Sequence, residues 1–339
     1  MKKLFLMITA LMTCMVMRAA DGDVEVTVKI EYNDAGTEVA ITVPEEISQY
    51  VNIVSGTAPH VKIQQSLTKA DNPNNYVIVY SISGTTNDGS FTLEADIKSV
   101  VELNNLTMTN PSGAAINLQN GKNNKIYVKK GTTNSLADAA NDETKGCIHC
   151  EGHLEFKKTG TLNIVGNNSH AVYSKEYVQI AKPTINITGA KKDGFHCKQY
   201  FWMEDACTVT ISNVGDDGIQ VERIEEDAYT GPLPGHEDVD ENGEDFDENS
   251  GYFYQDNGTL TISDFAKKAI KADGKIMFNG GTQNFDTTAI KEDNNPATGI
   301  ATLRNNAVKS EAAYDLNGRQ LKAQKKGVVI QNGKKIIMK

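Results

Sequence analysis

The sequence contains one tryptophan, Trp202, and 8 prolines, and it shows little apolar patterning with the helical period. An all-helical fold is therefore excluded. No segment beyond residue 20 approaches the roughly 20 apolar residues that a membrane-spanning helix needs. Basic residues are outnumbered: 34 Lys and Arg stand against 44 Asp and Glu, for a formal net charge of −10. Binding to a phosphate backbone requires a basic footprint, so nucleic acid is not an expected partner. No Ser-His-Asp set or glycosidase-type carboxylate pair is legible. The CxxC at Cys147–Cys150 has no second CxxC after it and no thioredoxin-like surroundings. Cys147 instead falls on a small core position of a repeat.

At the N-terminus, Lys2 and Lys3 precede an apolar run from Leu4 to Met17. This reads as a signal peptide, residues 1–20, with Ala19 and Ala20 at the cleavage site and the run too short for a membrane anchor. Cys14 follows Leu11-Met12-Thr13, a lipobox with a bulky residue before the cysteine. The expected location is the cell surface, the outer membrane or the medium, where disulfides are available to Cys147, Cys150, Cys197 and Cys207.

Short apolar alternations recur, which is a strand signal, and the recurrence itself is periodic. Units open with Leu154-Glu155-Phe156, Val178-Gln179-Ile180, Phe201-Trp202-Met203 and Tyr252-Phe253-Tyr254. A second strand follows in each, such as Leu162-Asn163-Ile164 or Ile185-Asn186-Ile187. The third strands run Cys147-Ile148-His149, Ala171-Val172-Tyr173, Gly194-Phe195-His196 and Gly218-Ile219-Gln220. Steps from Ala171 to Gly194 to Gly218 are 23 and 24 residues, and the 51-residue step to Ala269 holds one coil plus an insertion. The expected fold is all-β: a right-handed parallel β-helix with three short strands per coil. A single coil cannot bury its apolar residues, whereas stacked coils about 4.8 Å apart satisfy each other's backbone and close an apolar column. The expected organisation is an N-terminal β cap over 21–79, a β-helix over 80–295 interrupted by an acidic insertion at 222–250, and a linker with a small C-terminal β-module over 296–339.

Read outward, the position before the small core residue of the third strand runs His170, Asp193, Asp217, Lys268. Carboxylates on adjacent coils about 4.8 Å apart repel by roughly 3.5 kcal/mol at an effective dielectric of 20. A hard cation reverses that sign, so Asp193, Asp216 and Asp217 are candidate Ca²⁺ ligands; the alternative is relief by Lys192 and water. In the insertion, Asp238, Asp240 and Asn242 match the first half of an EF-hand loop, but Asn249 stands where the closing Glu belongs. A plain acidic loop is the other reading. Trp202 and Phe253 are expected in an outward column with Glu155 and Gln179, as rings that stack on sugar faces unless the insertion covers them. Tyr173 and His196 are further candidate ligand contacts. Were the protein a lyase, the base would be sought among Lys192, Lys198 and Arg223.

These residues carry a family resemblance. Ser83-Gly84-Thr85, Leu103-Asn104-Asn105-Leu106-Thr107, Gly113-Ala114-Ala115-Ile116, Gly131-Thr132-Thr133-Asn134, Ala171-Val172-Tyr173-Ser174-Lys175, Asp193-Gly194-Phe195 and Asp216-Asp217-Gly218-Ile219 occur in that order. From Tyr80 to about Glu222 the chain resembles the secreted bacterial carbohydrate-binding domain proteins, whose fold is similar to polysaccharide lyases. The resemblance implies calcium-assisted binding of acidic polysaccharide. Tyr314-Asp315-Leu316-Asn317-Gly318-Arg319 and Lys326-Gly327-Val328-Val329-Ile330-Gln331-Asn332-Gly333-Lys334-Lys335 resemble C-terminal sorting modules of Bacteroidetes exported proteins. The leading expectation is an exported carbohydrate-binding protein. A calcium-dependent pectate-type lyase and a surface adhesin with a protein partner are the alternatives.

Overall fold

The computed structural model describes residues 22–55, 59–140, 143–223 and 251–292, together with the short strands Met17–Arg18, Ala313–Tyr314, Gly327–Gln331 and Lys334–Met338. Strands dominate, and neighbouring coils pair in parallel. The third strands form a 10-stranded sheet, parallel from His60–Gln65 through Ser90–Ala95, Ile116–Gln119, Gly146–Cys150, His170–Ser174, Phe195–Lys198, Ile219–Glu222 and Ile270–Ala272 to Ile290–Glu292. First and second strands share a 17-stranded sheet, because Tyr76–Thr86 and Ser99–Thr109 bend through both faces. Further along, the two faces separate into Asn123–Val128 and Thr133–Ala137, then His153–Lys157 and Thr161–Gly166, and so on. This is the parallel β-helix that the repeat implied.

The core follows from strand alternation. Leu136, Ile164, Ile187, Ile211 and Ile262 stack register for register in the second strands. Ile148, Val172, Phe195, Ile219 and Ile270 do so in the third. Nearly all are fully buried. Each coil buries its apolar side chains only against the coil before and the coil after, so the column is continuous. Parallel stacking starts earlier than residue 80. Val24–Tyr32 already pairs in parallel with Tyr76–Thr86, and His60–Gln65 with Ser90–Ala95. Among the described residues, antiparallel pairing at this end involves Met17–Arg18, Val39–Thr42 and Val51–Ser55, the last two joined by a short 3-10 helix, Glu45–Tyr50, that buries Ile47.

Corners are where the strand pattern stops and where polar residues enter the interior. Asn124 and Asn134 are buried rather than outward. Asn134 Oδ1 accepts the Leu106 N–H at 2.9 Å and Nδ2 donates to the Thr161 carbonyl at 3.2 Å, tying together three coils. At Gly194 and Gly218, a Cβ would meet the carbonyl oxygen of Gly218 at 2.6 Å and of Ala269 at 2.5 Å respectively. Only glycine lets the backbone of the next coil come that close. The C-terminal unit, Ala297–Lys339, is separate and holds a three-stranded antiparallel sheet. The N-terminal residues 1–16, Cys14 among them, and residues 224–250 lie outside the described residues, and with the latter Asp238, Asp240 and Asn242.

The four cysteines of the stack are buried thiols. Cys150 pairs with Ser174, and Tyr173 with His196, so Cys150 and Cys197 occupy one column two coils apart. That separation is about 9.6 Å, beyond the reach of a disulfide.

Ile187→Asp should abolish folding. The substitution puts an unpaired charge between Ile164 and Ile211, at a cost of several kcal/mol. Circular dichroism checks it, and a variant melting within a degree or two of wild type would contradict the register.

Asp138 offers a second test. Its Oδ1 accepts the N–H of Asn167 at 2.6 Å and of Asn168 at 3.2 Å, one coil on, while Oδ2 is buried without a hydrogen bond. Burial pushes this carboxyl up to about 6, outweighing those N–H donors, against about 3.9 when unfolded. The folded state thus holds the proton to higher pH. The resulting penalty is absent below about pH 4 and complete above about pH 6. Asp138→Asn keeps the Oδ1 acceptor and cannot ionise. Relative to wild type it should gain on the order of 2–3 kcal/mol between pH 4 and pH 7, read from urea midpoints; a pH-independent difference refutes the assignment.

Candidate functional site

The outer face of the third-strand sheet gathers titratable and aromatic side chains in rows. Strand pairing places His149, Tyr173 and His196 in one row, continued by Gln220, Lys271 and Lys291. The Tyr173 ring stacks between the other two, with centroids 5.2 Å from His149 and 5.5 Å from His196 and interplanar angles of 21° on both sides. Lys145 Nζ donates to Tyr173 Oη at 3.4 Å. Two residues further along each strand runs a charged row in which Glu151 and Glu222 flank the adjacent Lys175 and Lys198. Glu151 meets His149 Nε2 at 2.8 Å and Lys175 Nζ at 3.2 Å. Glu222 meets His196 Nε2 at 3.5 Å and Lys198 Nζ at 3.7 Å.

Three residues before the ring row lies the turn column that the sequence singled out. His170 Nδ1 and His196 Nδ1 each lie 3.0 Å from Asp193 Oδ2. Asp193 Oδ1 accepts the Asp217 N–H at 2.9 Å, and Asp217 Oδ1 accepts the Lys268 N–H at 2.8 Å. Each carboxylate thus caps the turn of the following coil, as Asp138 does for Asn167 and Asn168. Asp216 Oδ2 takes Lys267 Nζ at 2.7 Å, whereas its Oδ1 is buried without a hydrogen-bond partner.

This environment sorts the protonation states. Burial works against the anion at Asp193, yet hydrogen bonds from His170 and His196 hold its carboxyl well below the usual range. Burial, then the like charges of Asp193 and Asp216, push Asp217 up to about 6. The hydrogen bond from His196 leads the causes that lower Glu222 to about 2. Burial disfavours the charged form of both histidines: it wins at His170, which is lowered, and loses at His196, raised by Asp193 and Glu222.

A family model described as "Carbohydrate-binding domain-containing protein" matches residues 66–339, most of the chain. The chain belongs to this carbohydrate-binding domain family. A curated relative of that same description from Acetivibrio thermocellus is 25% identical over 119 residues, which cover 32% of this chain and 42% of the relative. The chain thus spans less than half of that relative's length. A solved polysaccharide lyase-like protein from C. thermocellum, studied as a gadolinium derivative, superposes with a TM-score of 0.54 at 19% identity. The likeness covers 79% of this chain and 100% of that one, and it is one of fold.

The β-helix of this family member keeps some of the expected site residues together and separates others. Asp193, Asp216 and Asp217 do converge, with ligand atoms within 4.8 Å of one another. Asp193, however, is occupied by two imidazoles and an N–H rather than open to calcium. Tyr173 and His196 are neighbours on the outer face, but their ring faces cover each other. Lys198 lies in the charged row beside Glu222. Lys192 and Arg223 are anchored through their backbone N–H groups, to the Ser169 carbonyl and the Asp273 carboxylate.

Phe253 needs a correction. It is fully buried and stacks on Phe201, 5.5 Å away at 8°, because Trp202 pairs with Tyr254. Trp202 points outward as expected but is 5% exposed, in a cluster with Tyr177, Tyr200 and Tyr254, and its indole N–H donates to Asp256 Oδ2 at 2.8 Å. Tyr177 and Tyr200 stack at 4.5 Å and 13°. Sequence reading missed Tyr177 and Tyr200, since each directly precedes the triplet taken to open its coil; the recurrence of a tyrosine there on successive coils was the available signal.

With Trp202 the sole tryptophan, its fluorescence reports this cluster alone. Acrylamide should quench the native protein only weakly and the unfolded protein strongly. Equal quenching in both would put the indole on an open surface, contrary to its burial.

Proposed function

We propose that this carbohydrate-binding family member is exported and binds an acidic polysaccharide along the outer face of its third-strand sheet. The observation that carries the reading is Lys175 and Lys198, level with each other on adjacent coils along one side of the His149–Tyr173–His196 ladder, with Lys145 reaching Tyr173 Oη from the other side. A polysaccharide repeats one ring and, if acidic, one carboxylate per sugar. The β-helix repeats its side chains once per coil, about 4.8 Å apart, so an extended chain lying along the axis meets the same groups again and again. Lysine ammonium and imidazole N–H groups donate to carboxylates and hydroxyls. Export rests on the basic and apolar segment 1–20 and on the sorting-like tail.

Calcium assistance is part of this proposal, narrowed to two ligands. Four of the six oxygens of Asp193, Asp216 and Asp217 are engaged by protein donors. Asp216 Oδ1 and Asp217 Oδ2 have no hydrogen bond from the described residues. Ca²⁺ takes six to eight oxygens, so these two carboxylates would anchor an ion whose remaining ligands are water, carbonyls or sugar carboxylates. The raised Asp217 supports the reading, since a cation relieves the crowding of negative charge that burial has created.

Affinity electrophoresis in polygalacturonate, with and without Ca²⁺, tests both parts. Lys175→Ala with Lys198→Ala should weaken retention about tenfold, the loss of roughly 1.4 kcal/mol. Asp216→Asn with Asp217→Asn should remove only the increment due to Ca²⁺. Retention unchanged in both double variants refutes the binding face, and an ultraviolet-absorbing unsaturated product would replace binding by lyase chemistry.

A further inference from the structure

Within the third-strand face, two imidazoles and one carboxylate converge in a way that sugar binding does not require. His170 Nδ1 and His196 Nδ1 approach a single oxygen, Asp193 Oδ2, at 3.0 Å each. Ligand atoms of the three residues all fall within 4.8 Å of one another. The side chains are 8%, 12% and 2% exposed. Strand register explains the convergence. Ala171 N–H bonds to the Asp193 carbonyl, so His170 sits directly against Asp193 on the next coil, and His196 is three residues after Asp193 on the same coil.

We infer that His170, Asp193 and His196 form a binding site for one divalent transition-metal ion, with Zn²⁺ as the reference ion. Imidazole nitrogen and carboxylate oxygen are the donors that zinc takes, at about 2.0–2.2 Å. Calcium takes oxygen alone, so this site is chemically distinct from the neighbouring Asp216 and Asp217 pair. Three protein ligands leave a coordination position for water or a sugar oxygen.

The surroundings match what a zinc site needs around its ligands. A metal-bound histidine usually donates its other ring N–H to a carboxylate, and the metal-bound carboxylate is itself hydrogen-bonded. Here Glu222 Oε2 lies 3.5 Å from His196 Nε2, and the Asp217 N–H holds Asp193 Oδ1 at 2.9 Å. Ligation through Nδ1 leaves the remaining imidazole proton on Nε2, which for His196 is the nitrogen facing Glu222. A proton now held between either Nδ1 and Asp193 Oδ2 is moved to Nε2 or released when the ion enters.

The test uses the full chain, stripped with EDTA and desalted. ZnCl2 titrated by calorimetry should show one equivalent bound, retained through gel filtration, with a rise in melting temperature. CoCl2 should give the visible absorption of a four- or five-coordinate ion. His170→Asn with His196→Asn should lose binding, and His60→Asn, a histidine paired with Asp88 elsewhere, should keep it. Glu222→Gln leaves the ligands in place and should weaken zinc binding about 10–100-fold, which decides the matter if the double variant does not fold. Absence of retained metal in the wild-type chain overturns the proposal. So does wild-type affinity in Glu222→Gln together with the double variant, or stoichiometric displacement of Zn²⁺ by millimolar Ca²⁺.

Discussion

Parallel backbone hydrogen bonding between coils is the constraint on which the rest depends. It fixes each residue beside the residue of the same position on the next coil, at a distance set by the peptide group and not by the side chains. Apolar positions gain from this, since a column of isoleucine or valine closes itself. Charged positions do not, because like charges are brought together with no freedom to separate. The protein meets the difficulty with flanking opposite charges and with capping. Glu151, Lys175, Lys198 and Glu222 place opposite charges on either side of a basic pair, and Asp138, Asp193 and Asp217 spend an oxygen each on N–H groups of the following turn.

The same constraint explains what could be read from sequence. In the second and third strands, apolar residues alternate with polar ones, as in Leu162-Asn163-Ile164 or Ile219-Gln220-Val221. Their register followed directly, and the two-coil separation of Cys150 and Cys197 with it. At Tyr252-Phe253-Tyr254 the alternation carries no information, because every residue is aromatic. A slip of one position exchanges inside for outside, which is how Phe253 came to be expected on the surface. The insertion just before this strand removes the spacing that would have fixed it. Buried Asn124 and Asn134 were equally hidden: a corner asparagine and an outward one look alike until the carbonyls around them are known.

The acidic column was legible as a column, but its occupancy was not. Adjacency of Asp193 and Asp217 needed only the coil length. That Asp193 points one oxygen at both His170 and His196 depends on side-chain rotamers and on a histidine supplied from a different row. The outer face of the third-strand sheet therefore owes its chemistry to contacts between rows, which no single repeat displays. Its polarity is also graded along the axis: histidine and tyrosine occupy the ring row in the middle coils, and lysine occupies it at Lys271 and Lys291.

Glycine at 194 and 218 has a consequence for how such a protein changes over time. Because the next coil's carbonyl lies where a Cβ would be, those positions admit no gradual substitution, yet the coil as a whole touches only its two neighbours. Duplication or deletion of an entire turn leaves the local fit intact wherever the new junction repeats the old one. Each added turn lengthens the outer face by one rung; under the proposed mode of binding it contributes another set of weak contacts to the same ligand chain, so reach and avidity are inherited through the number of turns and not through refinement of any one of them.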